Sequence, residues 1–388
     1  MSIHNHVPHR VVVKVGTNLV SSVGGGLNLE VIGSLVESIS TATRNGVEVV
    51  LVSSGAVGSG REWMDWRGPL TEISDRQALA AVGQPLLMKA YADRFADYDL
   101  KIAQVLLTRE GLENRERYLN ARHTLERLLS WGVVPIINEN DTVVTEELQF
   151  GDNDRLAAAV AGKLQSDLLL LLTDVESVWD RDKNPVRRVD RIDSDLRDAA
   201  GGPATARSRG GMKAKLTAVE EAMMMGVTAV IASGKEKGIL DRVLDAYPTA
   251  SDLECEMPES TPGSWFVSAS SGLASRKRWI LGRRSIRGTL FIDSGARAAL
   301  QKGENSLLPS GVTEVEGEFR VGDPVTIASQ EKETIGQGLA NLSSSELRSF
   351  RGCNTEEIRR NIGREIGSCV AVHKDDLVLF TGVDASGV

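Results

Sequence analysis

A lysine inside a run of valines is the first residue whose surroundings call for chemistry: VVVKVGTN, residues 11–18, carries Lys14 and then Gly16 and Thr17. An isolated ammonium is costly to bury, so Lys14 either meets a counter-charge in a cleft or sits on an edge strand facing water. SSGAVGSG, residues 53–60, supplies glycine amides and small hydroxyls, Ser54 among them, suited to an anion or simply to a turn. Two acid and amide clusters come next: INENDTV holds Asn138, Glu139, Asn140 and Asp141, and FGDNDRL holds Asp152, Asn153 and Asp154. Such residues at a helix start are often plain caps, but two clusters together can bind an amino group and position neighbouring lysines. LLLLLTD ends in Thr173 and Asp174, and SRGGMKAK carries Gly210, Gly211, Met212, Lys213 and Lys215. Glycine amides with a lysine one turn further on make a polyphosphate cradle; the alternative is a hinge before an ordinary amphipathic helix.

Other chemistries find less support. Neither GxxxxGK[ST] nor GxGxxG occurs, so the common phosphate and dinucleotide fingerprints are missing. Cys255, Cys353 and Cys369 are an odd number without a CxxC, which argues against a disulfide framework and a zinc site. His4, His6 and His9 crowd the first residues, His123 and His373 lack spaced partners, and no metal-ligand set or Ser/His/Asp arrangement is evident.

These segments need a scaffold, and hydrophobic patterning supplies one. Short apolar runs at Val11–Val15, Val47–Val52, Ile102–Leu107, Val133–Ile137, Leu168–Leu172 and Val227–Ile231 read as strands. Between them, Glu30–Arg44, Asp75–Tyr98, Ala121–Ser130, Asp154–Leu164 and Met212–Met225 read as helices. This alternation predicts an α/β fold, an open and mostly parallel sheet sandwiched by helices. Each chemical segment then falls just after a strand, where such sheets bind ligands. The stripe of Leu79, Val82, Leu86 and Leu87 reads as core.

Residues 248–264 hold three prolines among serines and threonines, the composition of a linker. Beyond them, short strands with glycine turns predict a small β-rich unit. The domains expected are a catalytic one over 1–259, a linker over 260–282 and the β-rich unit over 283–388. The 388 residues carry 45 Lys and Arg against 53 Asp and Glu, a net charge of −8, which disfavours a simple nucleic-acid binder. No run approaches the roughly 20 apolar residues of a membrane span, and no export signal is evident, so a cytoplasmic location is expected.

Taken in order, KVGTN, SSGA, INEND, FGDND, LLLLTD and GGMKAK resemble the amino-acid kinase family, and within it the glutamate 5-kinases. The C-terminal unit resembles the PUA domain that many of these enzymes append. The resemblance implies ATP-dependent phosphorylation of the γ-carboxylate of L-glutamate, the first step of proline biosynthesis from glutamate. It implies that Lys14 and Lys215 neutralise the transferred phosphoryl group while Asp154 holds both. Ser54, Asp141 and Asn153, with Asp152 beside them, would bind glutamate. Lys14, Thr173, Asp174, Gly210, Gly211, Met212 and Lys215 would hold ATP, with Mg²⁺ arriving on the nucleotide. It further implies a homo-oligomer, feedback inhibition by proline, and handover of the product to a downstream glutamyl-phosphate reductase.

The sequence departs from the family pattern at Arg209, where threonine is common before Gly-Gly-Met, and at Ser177-Val178-Trp179, where Gly-Leu-Tyr is common. Two other readings stand beside the first. One is a related kinase acting on another acidic substrate. The other is an RNA-binding or RNA-modifying protein, suggested by the PUA-like unit and by six basic residues between Arg276 and Arg287. That unit's balance of 16 basic to 15 acidic residues from Arg276 onward, and its lack of an aromatic stacking set, weigh against strong RNA affinity.

Overall fold

The valine run becomes β1 (Arg10–Val15) in the computed structural model, which describes residues 7–22, 26–143, 152–200, 206–248, 257–267, 286–301, 305–351, 353 and 370–380. Further strands follow as β2 (Glu48–Ser53), β3 (Lys101–Leu107), β4 (Val133–Glu139) and β5 (Leu168–Thr173). Then come β6 (Val178–Trp179), β7 (Pro185–Val186), β8 (Arg188–Val189), β9 (Thr228–Ser233) and β10 (Ser264–Phe266). Eight of them form one sheet in the order β3-β4-β2-β1-β5-β9-β10-β8, with β6 and β7 pairing as a separate hairpin. Every pairing in the large sheet is parallel except that of β10 with β9.

The strand order determines where a ligand can enter. From β1 the chain moves to β2 on one side, whereas from β5 it moves to β8 and then β9 on the other, so the connections part between two adjacent strands. Such a switch point opens a crevice at the carboxyl ends of the strands. Gly16 follows β1 there, and Asp174 follows β5.

Alternation along β1 sends its side chains to two different cores. Val11, Val13 and Val15 pack with Ile32, Val36 and Ile39 of the helix Leu29–Arg44. Val12 packs on the opposite face with Leu156 and Val160 of the helix Asp152–Lys163 and Leu216 and Val219 of the helix Ala206–Met224. Lys14 shares the parity of Val12, so its side chain points toward those two helices.

Two expectations from sequence need correction. Residues 264–266, assigned to the linker, are a strand of the sheet, because Trp265 and Phe266 are fully buried and finish the two cores. The stripe on the helix Ile73–Ala96 is rotated from the one read in sequence: Leu79, Ala80, Gly83, Gln84, Leu87, Tyr91 and Phe95 are buried, while Val82 and Leu86 are half-buried. The chain divides into two compact units, residues 1–113 with 117–272 and residues 114–116 with 273–388.

In the second unit, β11 (Gly288–Ile292), β12 (Val312–Gly317), β13 (Pro324–Ser329), β14 (Thr334–Ala340) and β15 (Val372–Leu379) form a sheet in the order β12-β11-β13-β14-β15. Its own core gathers Leu290, Val325, Ile327, Ala340, Leu347 and Val372. The helix Ser344–Phe350 starts with a capping box between Ser343 and Glu346.

Candidate functional site

Lys14 is 5% exposed and Asp154 4%. Lys14 Nζ lies 2.6 Å from Asp154 Oδ1, and Lys215 Nζ lies 2.8 Å from Asp154 Oδ2. The three come from three elements: Lys14 from β1, Asp154 from the first turn of the helix Asp152–Lys163, and Lys215 from the helix Ala206–Met224. The two helices are locked to each other by Arg155, whose Nε and Nη2 donate to Glu221 Oε1 at 3.2 and 2.5 Å. Of the two sequence readings of Lys14, the counter-charge in a cleft is the one the fold adopts.

Burial dominates the electrostatics of Lys14 and draws its pKa below the ordinary amine value; the positive charge of Lys215 adds to this, while Asp154 opposes it. For Asp154, burial is the largest single influence and acts upward, but the two lysines together outweigh it and hold the carboxyl below its ordinary range. The triad sets two lysines on one carboxylate, a formal excess of one positive charge. A residual positive charge in a desolvated crevice is suited to a phosphoryl group in transfer. Gly16 borders the lysine: a Cβ there would lie at an ordinary contact distance of 3.5 Å from Lys14 Nζ.

A second cluster adjoins the triad and is linked through hydroxyl and amide side chains. Ser54 follows β2, and Gly55 after it has φ +115°, a conformation that L side chains rarely adopt. Asn153, one residue before Asp154, donates from Nδ2 to Ser54 Oγ at 2.8 Å and to Asn138 Oδ1 at 3.1 Å. Asn138 Nδ2 donates to Gln84 Oε1 at 2.8 Å, and Gln84 Nε2 donates to Gln104 Oε1 at 3.2 Å. Gln84 is held in place by close helix packing: a Cβ on the adjacent Gly83 would lie 1.8 Å from the carbonyl oxygen of Ala56. Asp141 opens the turn Asp141–Val143, which packs against the helix bearing Gln84.

On the β5 side, Thr173 Oγ1 donates to Asp174 Oδ1 at 3.1 Å, and the Thr173 carbonyl accepts from the Gly234 amide at 2.8 Å. Both residues thus sit at the switch point beside β1. The glycine pair departs from expectation. The helix begins at Ala206 rather than Met212, so the Gly210 and Gly211 amides fall within it instead of in a loop ahead of it. The free amides of its first turn belong to residues before Gly210, because the sequence preceding the glycines, Ala206 to Arg209, is itself compatible with helix. Met212 lies one turn before Lys215 on the same helix.

The side chains of Asp152 and Arg209 lie outside the described residues, as do Cys255, Cys369 and most of the basic run Arg276–Arg287. Asn138, already in the INEND cluster, proves to be a hub. Gln84 and Gln104 went unnoticed in the sequence. For Gln84 a signal existed: it is a polar residue on the buried helix face, set between Ala80 and Leu87 in a series that continues to Tyr91. For Gln104, exposed on β3, there was none.

The model of the amino acid kinase family matches residues 9–233, the stretch that holds the triad, the amides and the β5 end. The chain belongs to the amino acid kinase family. A PUA domain model matches residues 288–362 of the second unit. A glutamate 5-kinase of Caldanaerobacter subterraneus is 40% identical over 377 residues, covering 96% of this chain and 98% of the relative. That of Chromohalobacter salexigens is 42% identical over 375 residues, covering 95% and 96%. A third, from Trichlorobacter lovleyi, is 40% identical over 378 residues, covering 96% and 97%. As members of this family are kinases, ATP is the phosphoryl donor. Among the described residues, no helix of this kinase is long and apolar enough to cross a membrane.

Proposed function

We propose that this chain transfers the γ-phosphoryl group of ATP to the γ-carboxylate of L-glutamate, giving L-glutamyl 5-phosphate and ADP, the first step of proline biosynthesis from glutamate. The observation that carries the reading is the buried pair of lysines on Asp154 at the switch point, in a chain about 40% identical to glutamate 5-kinases over nearly its whole length.

The chemistry needs little else. A γ-carboxylate with a pKa of about 4.3 is ionised at neutral pH, so its oxygen attacks without a general base. The obstacle is repulsion between that anion and the polyphosphate. Lys14 and Lys215 offset it and stabilise charge spread over the phosphoryl oxygens, and Asp154 keeps both ammoniums aimed at one point. Ser54, Asn153 and Asp141, with Asp152, receive glutamate. Thr173, Asp174 and the stretch Gly210–Lys215 receive the nucleotide, the glycines giving its phosphates close access to the helix backbone.

Mg²⁺ arriving with ATP would neutralise part of the charge on its phosphates. The donor set fits an ion carried by the nucleotide. Both oxygens of the buried Asp154 are engaged by lysines, and among the described residues no group of three or more His, Cys, Asp or Glu is placed to hold a metal. Asp174, exposed just after β5, is a carboxylate that would help hold such an ion.

Proline shares the ammonium and α-carboxylate of glutamate, which supports its role as a feedback inhibitor at the same residues. The product is an acyl phosphate, readily hydrolysed and cyclised, and this favours handover to a glutamyl-phosphate reductase. We also assign the enzyme to the cytoplasm, as a homo-oligomer.

The test is ATP-dependent phosphorylation of L-glutamate, L-aspartate and N-acetyl-L-glutamate, with hydroxylamine trapping the acyl phosphate as a hydroxamate. Hydroxamate from L-glutamate alone is expected. Product from one of the others instead would move the assignment to a related kinase, and no product from any would overturn the kinase reading of this site.

A further inference from the structure

We propose that Gln84 is a positioning residue that, through Asn138, fixes which way the Asn153 amide faces and thereby selects substrates bearing a free ammonium. The inference rests on the glutamate reading above and deepens it.

The direction of the amide chain has a fixed reference. A backbone N–H can only donate, and that of Glu139 donates to Asn138 Oδ1 at 2.9 Å. This sets the Asn138 oxygen toward Glu139 and Asn153, and its Nδ2 toward Gln84. Gln84 answers with Oε1 and passes its own Nε2 to Gln104. On the other side, Asn153 has to present Nδ2, because the Asn138 oxygen accepts. Both hydrogens of that Nδ2 are then used, one on Asn138 and one on Ser54.

What remains is Asn153 Oδ1, which is buried and accepts no hydrogen bond among the described residues. A buried acceptor without a donor is unfavourable, and a charged donor is its strongest partner. An α-ammonium meets that need. An N-acylated amine offers one uncharged N–H with added bulk, and a dicarboxylate without nitrogen offers nothing. Gln84 is 8% exposed and Asn138 3%, so loss of the Gln84 oxygen leaves the Asn138 Nδ2 buried without its acceptor and free to turn toward another. The Glu139 N–H then holds the Asn138 oxygen alone, and the constraint on the Asn153 amide is weakened.

The experiment compares wild type, Gln84→Met and Gln84→Glu in the full chain, reading kcat, KM for L-glutamate, KM for ATP, and the inhibition constant of glutarate as a competitor of glutamate. Glutarate keeps both carboxylates and lacks the ammonium. In Gln84→Met, KM for glutamate should rise about tenfold, the effect of one hydrogen bond of ordinary net strength, while kcat, KM for ATP and glutarate inhibition stay within about twofold. Gln84→Glu should restore KM for glutamate. As a protonated acid it reproduces both contacts, and as a carboxylate it keeps the acceptor for Asn138 while Gln104 turns over.

An unchanged KM for glutamate in Gln84→Met would overturn the proposal. So would a matching loss for glutarate, or a Gln84→Glu variant as impaired as Gln84→Met, since either would mean packing alone. Should Gln84→Met not fold, Gln84→Asn, which withdraws the amide by one methylene, carries the same expectations. A wild-type enzyme inactive on glutamate would sink the glutamate reading itself, an outcome separate from any of these.

Discussion

The triad of Lys14, Asp154 and Lys215 consists of charges held within 2.8 Å of a shared carboxylate, whereas the adjoining set of Ser54, Asn153, Asn138 and Gln84 is linked over similar distances by neutral groups alone. Both are largely buried and both hang on the helix Asp152–Lys163, through consecutive residues. The difference follows from what each has to meet. A polyphosphate calls for a field, and two lysines per acid leave one. An amino acid carries both signs of charge, so its receptor joins neutral groups to the acids Asp141 and Asp152 assigned to it above. Amides supply direction without altering the net positive charge that the nucleotide needs nearby.

If that division is right, the largest effect comes from removing a charge at the ionic end. Lys215→Met should lower kcat by about 10²–10³, the range for losing one donor to developing negative charge, and Lys14→Met should do the same. KM for glutamate should change little, because no amide contact is touched. Asp154 keeps its other lysine in each variant, so the folded state should survive. Steady-state kinetics with a thermal melt checks both points, and near-normal turnover in either variant would break the contrast.

Asp154→Asn is expected to be next in size and sharpens the contrast by pH. The pKa of Lys14 is already drawn down by burial and by Lys215, with Asp154 opposing. Removing the carboxylate removes that opposition, so the alkaline limb of residual activity should move to lower pH than in wild type. The stability linkage runs the other way in acid. The depressed Asp154 pKa contributes stability above the ordinary carboxylate value, and this is lost as pH falls through the depressed one. Wild type should therefore lose its stability advantage over the variant on acidification. At neutral pH that advantage should be about 3 kcal/mol, the lower end for breaking a buried ion pair. An alkaline limb unmoved by the substitution would show that Lys14 does not titrate in it.

The ionic end was more legible in the sequence than the neutral one, for physical reasons. A lysine among valines violates the local pattern and therefore advertises itself, and an acid at a helix start followed by a distant lysine gives the clamp its parts. The strands were legible because β-branched runs such as Val11–Val15 have one reading. The amide chain was only half legible. Asn138 stood out within INEND, but Gln84 becomes meaningful once the close approach at Gly83 brings its helix onto the helix Ala56–Trp63 that follows β2. The rotated stripe on that helix has the same origin, since glycine and glutamine at buried positions 83 and 84 escape a hydrophobic count. The strand Ser264–Phe266 was hidden by the prolines around it, and its partner β9 lies over 30 residues earlier. The glycine pair misled in the opposite direction, because an intrinsic helix cost of about 1 kcal/mol per glycine is small enough for the surrounding residues to overcome.

The smallest effect should come from the second unit, which serves as the control for both ends of the site. Ser343 Oγ accepts from the Glu346 amide at 3.3 Å, and Glu346 Oε2 accepts from the Ser343 amide at 2.8 Å, closing a reciprocal cap on the helix Ser344–Phe350. Ser343→Ala removes the first of these and should cost about 1 kcal/mol, because one N-terminal amide loses its acceptor while Leu347 stays anchored in the local core. The loss belongs to a unit with its own core, so kcat and both KM values should equal those of wild type at temperatures well below the melt. Hydrogen exchange resolved along the chain would place the weakened protection in the helix Ser344–Phe350 and leave β1 and the helix Asp152–Lys163 unaltered. A fall in kcat at constant glutamate KM would instead tie this unit to the ionic end, and a rise in glutamate KM at constant kcat would tie it to the amides.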